Sequence, residues 1–216
     1  MKIQILLLSF LFAYNGYAQN KTKEISVFGA DNFYTTKQSQ GPQNDVVRMG
    51  QLIGIAYKTS DSAKAKGIII EFLTNNTLSY YNNVLSGNNL LQVDDIYTNL
   101  NFLFTLFYFK KGSVQFNFNI GVGVGTLADR QFYDGGNKLL PFNLTTLPKI
   151  HFGKSLDFTG IIEPEVSLKI TKRVSINFGI RYTTGNSLKQ EKDIFYNAVQ
   201  GTGLGIKIGG AFKLKK

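Results

Sequence analysis

Ser113-Val-Gln-Phe-Asn-Phe-Asn-Ile-Gly-Val-Gly-Val-Gly-Thr126 is the stretch of sequence that decides the fold. Its even positions from Val114 to Val124 are all apolar, whereas its odd positions are serine, glutamine, asparagine or glycine. Because successive side chains of a β-strand point to opposite faces, this alternation predicts one strand with an apolar face and a polar face. Its length exceeds the roughly 5–6 residues of a typical globular strand. It suffices for a tilted membrane-spanning strand, which needs about 9–11 residues.

Seven further segments show the same alternation, and we therefore predict an all-β fold of eight antiparallel strands. The other seven predicted strands are Glu24–Tyr34, Val46–Lys58, Lys66–Thr74, Asp95–Phe109, Phe158–Ile170, Arg173–Thr183 and Thr202–Leu214. Short connectors (Ser60–Ala65, Lys110–Gly112, Thr171–Lys172) alternate with long ones (Thr35–Asp45, Asn75–Asp94, Leu127–Asp157, Thr184–Gln200). Short turns on one side and long loops on the other are typical of an up-and-down transmembrane β-barrel of the outer membrane.

The charged residues of the strands decide which face meets lipid. The six clearest strands carry no lysine, arginine, aspartate or glutamate on their apolar face. The polar faces of the strands carry Arg48, Glu71, Asp95, Glu163, Glu165, Lys169, Arg181 and Lys207. A lysine or arginine facing lipid at the membrane midplane costs about 2–4 kcal/mol. Eight such costs would exceed the usual domain stability of roughly 5–15 kcal/mol. We therefore predict that these residues form an interior charge network, and that side chains fill a polar interior, as in other eight-stranded barrels.

The N-terminus has the features of a secretory signal peptide. Lys2 precedes an apolar core, and Gly16-Tyr17-Ala18 matches a small-x-small cleavage site. The sequence therefore predicts a signal peptide at Met1–Ala18, a barrel over residues 19–216 and an outer-membrane location.

The formal net charge of +10 is concentrated at the predicted short-turn end. The residues are Lys58, Lys64, Lys66, Lys110, Lys111, Lys172, Arg173, Lys213, Lys215 and Lys216. Two interpretations stay open, namely contact with phospholipid phosphates or an acidic periplasmic partner, and ordinary solvated strand ends. Nucleic acid is a weaker alternative.

An exported chain with eight amphipathic strands and four long loops resembles the small outer-membrane β-barrels, which include OmpX-like barrels, the membrane domain of OmpA and PorT-like barrels of Gram-negative bacteria. The resemblance covers residues 19–216. It implies a final strand that the outer-membrane insertion machinery recognises, and Leu204, Ile206, Ile208 and Phe212 match that signal. Gly210 interrupts the alternation, and Lys213-Leu-Lys-Lys216 runs past the aromatic residue.

Three motifs suggest chemistry, and each has a structural explanation that we prefer. Glu163 and Glu165 share a face, as an acid/base pair would, but interior salt bridges explain them better. Gly121-Val-Gly-Val-Gly125 lacks the lysine and the helix start of a phosphate loop. His151 is the only histidine and is followed by Ser155 and Asp157, which leaves a lipid-A deacylase as an alternative.

We therefore expect a monomeric, non-enzymatic barrel with a structural, adhesive or accessory role and without a cofactor or metal. Cysteine is absent, which excludes thiolate metal sites and disulfides. The expected partners are outer-membrane lipids, the insertion machinery and an unknown extracellular or periplasmic molecule, with the loops 127–157 and 75–94 as recognition sites. Tyr57, Tyr97, Tyr108 and Tyr182 are predicted interfacial anchors. A narrow channel and a secreted lipocalin-like carrier are further alternatives.

Overall fold

The structure is a computed structural model that describes residues 21–36, 46–61, 66–82, 90–134, 137–138, 156–188 and 201–214. Near some strand ends it describes the backbone only. The predicted signal peptide Met1–Ala18 lies outside these residues, as does His151. Within the ranges given, no helix is both long enough and apolar enough to cross a membrane.

Eight long antiparallel strands form a closed barrel, which confirms the predicted fold class. The described chain contains these eight wall strands and a two-residue β6: β1 (Lys21–Thr36), β2 (Val46–Asp61), β3 (Lys66–Asn82), β4 (Leu90–Lys111), β5 (Val114–Asp134), β6 (Asn137–Lys138), β7 (Leu156–Lys169), β8 (Val174–Leu188) and β9 (Gly201–Lys213). Their order around the sheet is β4-β3-β2-β1-β9-β8-β7-β5, and the pairing of β4 with β5 closes it. The two-residue β6 pairs only with the end of β5. Closure gives every wall strand two neighbours, so the wall has no exposed sheet edge.

Several strands are longer than predicted, and the largest extensions, those of β3, β4, β5 and β8, lie at the end opposite the short turns. The pairing of β4 with β5 extends to Leu91 and Asp134, where the sequence analysis placed loops. The described part of the second long connector therefore belongs to strands up to Asn82 and from Leu90. Hydrophobic alternation marks the part of a strand whose two faces meet different surroundings. Backbone hydrogen bonds continue the ladder without such a pattern, because they do not depend on side chains.

The two short turns that the structure describes, between β4 and β5 and between β7 and β8, are tight, as predicted. Gly112 separates β4 from β5 and has a φ of 60°, a left-handed conformation that glycine adopts without steric cost. Between β7 and β8, the hydroxyl oxygen of Thr171 accepts hydrogen bonds from the amides of Arg173 and Val174, at 3.1 and 3.0 Å. Both turns therefore hold the strands in register at the same end of the barrel.

The two faces of each strand differ sharply in exposure. Outward-facing Ile53 and Ile206 are 71% and 62% exposed, whereas inward-facing Phe28 is 3% exposed. Large apolar residues are exposed on all eight wall strands and form an apolar belt; examples are Ile25, Ile53, Phe72, Phe104, Val122, Ile162, Ile180 and Ile208. The acidic Asp31 is also exposed, with Gln51 and Ile206 as its cross-strand partners. An outward carboxylate destabilises a membrane barrel less than an outward lysine or arginine does, and the loss of stability decreases with distance from the membrane midplane.

A β-bulge in β4 changes the orientation of one predicted anchor. The register with β5 shifts between Thr105 and Phe107, and both Leu106 and Phe107 are exposed. Beyond the bulge, Tyr108 pairs with the inward-facing Asn117, so the prediction that Tyr108 lies in the outer girdle is wrong. A bulge adds one residue to one strand and so reverses the alternation after it.

The prediction that Tyr97 is an outward anchor is also wrong, because its side chain is only 5% exposed and lies on the inward face with Asn101. Tyr182 faces outward and is 40% exposed. Tyr57 lies on the same outward face of β2 as Ile53 and is half-buried.

The interior is less polar than predicted. An apolar cluster fills the side of the barrel formed mainly by β1 to β4, and it consists of Phe28, Ala30, Leu52, Ala56, Ile69, Leu73, Leu103 and Ile161. Most buried charges come from the opposite side, on β7, β8 and β9. Alternation does not predict this division, because it assigns a residue to a face without showing which residues meet inside the barrel.

Inward glycines leave room for larger side chains on neighbouring strands. A Cβ atom on Gly54 would lie 2.6 Å from the ring of Phe28 and 2.8 Å from the Cβ of Leu73. A Cβ atom on Gly123 or Gly125 would overlap the side chain of its cross-strand asparagine. The glycine-rich run of β5 is therefore a packing feature, as predicted.

We predict that Gly54→Ala destabilises the barrel by about 1–3 kcal/mol, because the added methyl group overpacks the site against Phe28. Gly29→Ala is the matched control, since its Cβ would meet only the carbonyl oxygen of Leu52, at 3.6 Å. Urea unfolding in lipid vesicles, followed by circular dichroism, measures both variants. Equal stability of the two would contradict the packing role of Gly54.

Candidate functional site

Glu71 on β3 is the acidic centre of the interior, and its side chain is fully buried. Its Oε1 accepts hydrogen bonds from Arg181 Nη2 at 2.7 Å and from Lys207 Nζ at 3.1 Å. Its Oε2 accepts one from Asn101 Nδ2 at 3.1 Å. Since β3 and β8 lie on opposite sides of the barrel, the contact between Glu71 and Arg181 crosses the lumen.

Arg181 on β8 bridges two carboxylates. Its Nε donates to Glu163 Oε2 at 2.6 Å, and its Nη2 contacts both that oxygen and Glu71. The guanidinium group is planar and carries several donors in a fixed arrangement, which suits simultaneous contact with two acids. Arg181 is 1% exposed, so these contacts replace those that water would make.

Lys207 on β9 contacts the same two carboxylates from the neighbouring strand. Its Nζ lies 2.8 Å from Glu163 Oε1 and 3.1 Å from Glu71 Oε1. It also forms a longer ion pair of 3.6 Å with Glu165 Oε2. Two cations and two acids thus surround one another, which is the arrangement that makes buried charge tolerable.

A second layer continues toward the short-turn end. Lys58 Nζ lies 3.6 Å from Glu165 Oε1, and Asn117 Nδ2 donates to the same oxygen at 3.1 Å. Gln115 Nε2 donates in turn to Asn117 Oδ1 at 2.7 Å. Among the described residues the buried charges are three acids and three bases, so this buried set is formally neutral.

Phe28 on β1 closes the apolar side of this network. The centre of its ring lies 4.5 Å from Lys207 Nζ and 5.5 Å from the guanidinium carbon of Arg181. Its register partners on both sides are glycines, Gly54 and Gly209. The ring covers this bare backbone and gives the two cations an aromatic face, a contact worth on the order of 0.5–2 kcal/mol.

The structure brings together five of the eight predicted interior charges: Glu71, Glu163, Glu165, Arg181 and Lys207. The contacts of Glu163 and Glu165 are those of interior salt bridges, which is the interpretation preferred from the sequence. Arg48 pairs with Tyr34, and Asp95 pairs with Thr77 and Arg130, but the side chains of Arg48 and Asp95 lie outside the described residues.

The prediction for Lys169 is wrong, because its side chain is exposed at the last position of β7. Alternation gives the face of a residue but not its depth, and at a strand end the inward face opens to solvent. The sequence analysis also left Lys58, Asn101, Asn117 and Phe28 out of the network. All four sit at inward positions, so alternation marked the face that they occupy, but only the fold shows which atoms they contact.

The barrel is similar to solved bacterial outer-membrane proteins. OprG from Pseudomonas aeruginosa matches with a TM-score of 0.50 and 12% identity, covering 90% of this chain and 97% of OprG. Its fold is that of a small outer-membrane β-barrel. Neisserial surface protein A matches this barrel with a TM-score of 0.49 and 12% identity over 89% of this chain and 97% of that chain. No protein-family model and no curated protein matches the sequence of this barrel.

We predict that Glu163→Gln destabilises the barrel by about 3–5 kcal/mol, because Arg181 and Lys207 then share fewer buried acids. The double variant Glu163→Gln/Lys207→Met restores equal numbers of buried charges and should recover part of the loss. Urea unfolding in vesicles measures both. A double variant at least as unstable as the single one would contradict the charge-balance explanation.

Proposed function

We propose that this protein is an integral outer-membrane protein whose barrel spans the membrane and serves a structural, adhesive or accessory role. The observation that carries the proposal is the continuous belt of exposed apolar side chains on all eight wall strands. Water-soluble monomers rarely expose a contiguous apolar patch beyond about 300–600 Å². A barrel with this apolar outer belt and six buried, mutually paired charges inside has the distribution of polarity that a lipid environment requires.

The orientation of the two faces also bears on the carrier alternative. A lipocalin-like carrier holds its ligand in a cavity inside the barrel. Here the middle of the barrel is filled by Arg181, Glu71, Glu163 and Leu103, each at most 1% exposed. This filling supports a barrel without an open lumen, and therefore neither a carrier nor a wide channel. Conductance measurements in planar bilayers test the remaining alternative of a narrow channel, and we expect no discrete conductance steps.

We predict that Ile208→Arg, in the middle of the outward apolar row from Leu204 to Phe212, destabilises the folded barrel in lipid by about 2–4 kcal/mol. Thr126→Arg is the matched control, because Thr126 is exposed and follows the outward apolar row from Val114 to Val124 on β5, and the cost near an interface is about 0–1 kcal/mol. If the apolar belt faced water, both substitutions would lie within about 0.5 kcal/mol of the unsubstituted protein. That result would contradict the membrane proposal.

Fractionation of expressing cells tests the location directly. We expect the protein in the outer-membrane fraction, extractable only with detergent. The same sample should migrate differently on a gel before and after boiling, because folded barrels of this kind resist unfolding by detergent. A periplasmic or secreted protein that stays soluble without detergent would refute the location.

The proposal includes a monomer without enzymatic activity, inserted by the outer-membrane machinery, whose long connectors face outward from the cell. The alternative of a lipid-A-modifying enzyme depends on His151. We expect His151→Ala to leave the mass spectrum of lipid A unchanged relative to cells with the unsubstituted protein. An altered lipid-A profile in the absence of His151 would establish the enzymatic alternative. The expected absence of a cofactor stays a prediction.

A further inference from the structure

A small cavity opens below the charge network, at the short-turn end of the barrel. Its volume is about 40 Å³. Seven of the eight wall strands contribute to its lining, which comprises Glu24, Lys58, Ser60, Lys110, Ser113, Gln115, Ser167, Lys169, Ser175 and Lys213. We call it the basal cavity. A cavity needs roughly 10–15 Å³ on this scale to hold one water, so this one has space for about three waters or one group of similar size.

The lining of the basal cavity is strongly basic. Four lysines face a single glutamate; because Lys58 already pairs with Glu165, a formal excess of two positive charges remains. Glu24 is the cross-strand partner of both Lys58 and Lys213, so one carboxylate lies between two of the four lysines. Lys110 and Lys169 enter from the other side of the cavity, on β4 and β7. Like charges around a confined space repel, and an anion inside that space removes the repulsion.

The uncharged part of the lining consists of hydrogen-bonding groups. Four serine hydroxyls and the amide of Gln115 line the cavity, and a hydroxyl can donate a hydrogen bond to an oxyanion. Gln115 already donates to Asn117, which fixes its side chain and connects the cavity to the charge network. Lysine binds phosphate as a point charge, and serine adds directed hydrogen bonds. The set of groups is therefore suited to a tetrahedral oxyanion.

We propose that the basal cavity is a binding site for a phosphate group, supplied either by the headgroup of an anionic phospholipid or by free phosphate. The size of the cavity matches the group, and the excess of cations supplies the binding energy. This inference does not rest on the proposed membrane location, because the cavity and its lysines belong to the barrel itself. Failure of one proposal therefore leaves the other standing.

The test uses the full chain folded in a maltoside detergent, which contains no phosphate. Isothermal titration calorimetry measures binding of inorganic phosphate and, separately, of dihexanoyl phosphatidylglycerol below its micelle concentration. The cavity variant is Lys110→Gln/Lys169→Gln/Lys213→Gln. The matched control is Lys66→Gln/Lys111→Gln/Lys172→Gln, which removes the same charge from exposed residues that do not line the cavity.

We expect at least one of the two probes to bind, with affinity reduced about 10-fold or more in the cavity variant and less than about 3-fold in the control. Tighter binding of phosphatidylglycerol than of phosphate identifies the lipid headgroup as the source, and the reverse order identifies free phosphate. Equal losses in both variants, or no binding of either probe, would overturn the proposal. If the triple variant does not fold, Lys169→Gln alone should weaken binding about fivefold, and unchanged binding would overturn the proposal equally.

Discussion

Two buried cations, Arg181 and Lys207, share the carboxylates of Glu71 and Glu163 in the middle of the barrel. The closed wall depends on this cluster of ion pairs. Glu71 and Arg181 are 110 residues apart in sequence and on opposite sides of the barrel. Charges that faced lipid would each cost several kcal/mol, so the inward face is the place for them. There they are tolerable only because every acid of the set contacts a base.

The other side of the interior accommodates this network by packing. Phe28 lies over bare glycine backbone on both neighbouring strands and presents its ring to the two cations. The apolar cluster behind it and the ion pairs together fill the middle of the barrel. Glycines at inward positions are what allow a large aromatic residue and long charged residues inside so narrow a barrel.

The two ends of the barrel differ in consequence. At the short-turn end the balance of charge is lost, because lysines gather around the basal cavity with one glutamate among them. The proposed phosphate site lies there, and two hydrogen bonds connect it to the charge network, from Gln115 to Asn117 and from Asn117 to Glu165. At the opposite end several strands continue beyond the apolar belt, past the zone that we propose to be lipid.

Alternation by itself determined the fold class, the number of wall strands and the face that carries the charges, because a side-chain period of two and the cost of charge in lipid are local rules. It did not determine how far β4 and β5 extend, since backbone pairing needs no hydrophobic pattern. The bulge that turns Tyr108 inward, the depth that leaves Lys169 exposed and the division of the interior around Phe28 were decided only by tertiary structure. Each depends on which residues of distant strands meet across the barrel, and the register that brings them together is a property of the closed wall.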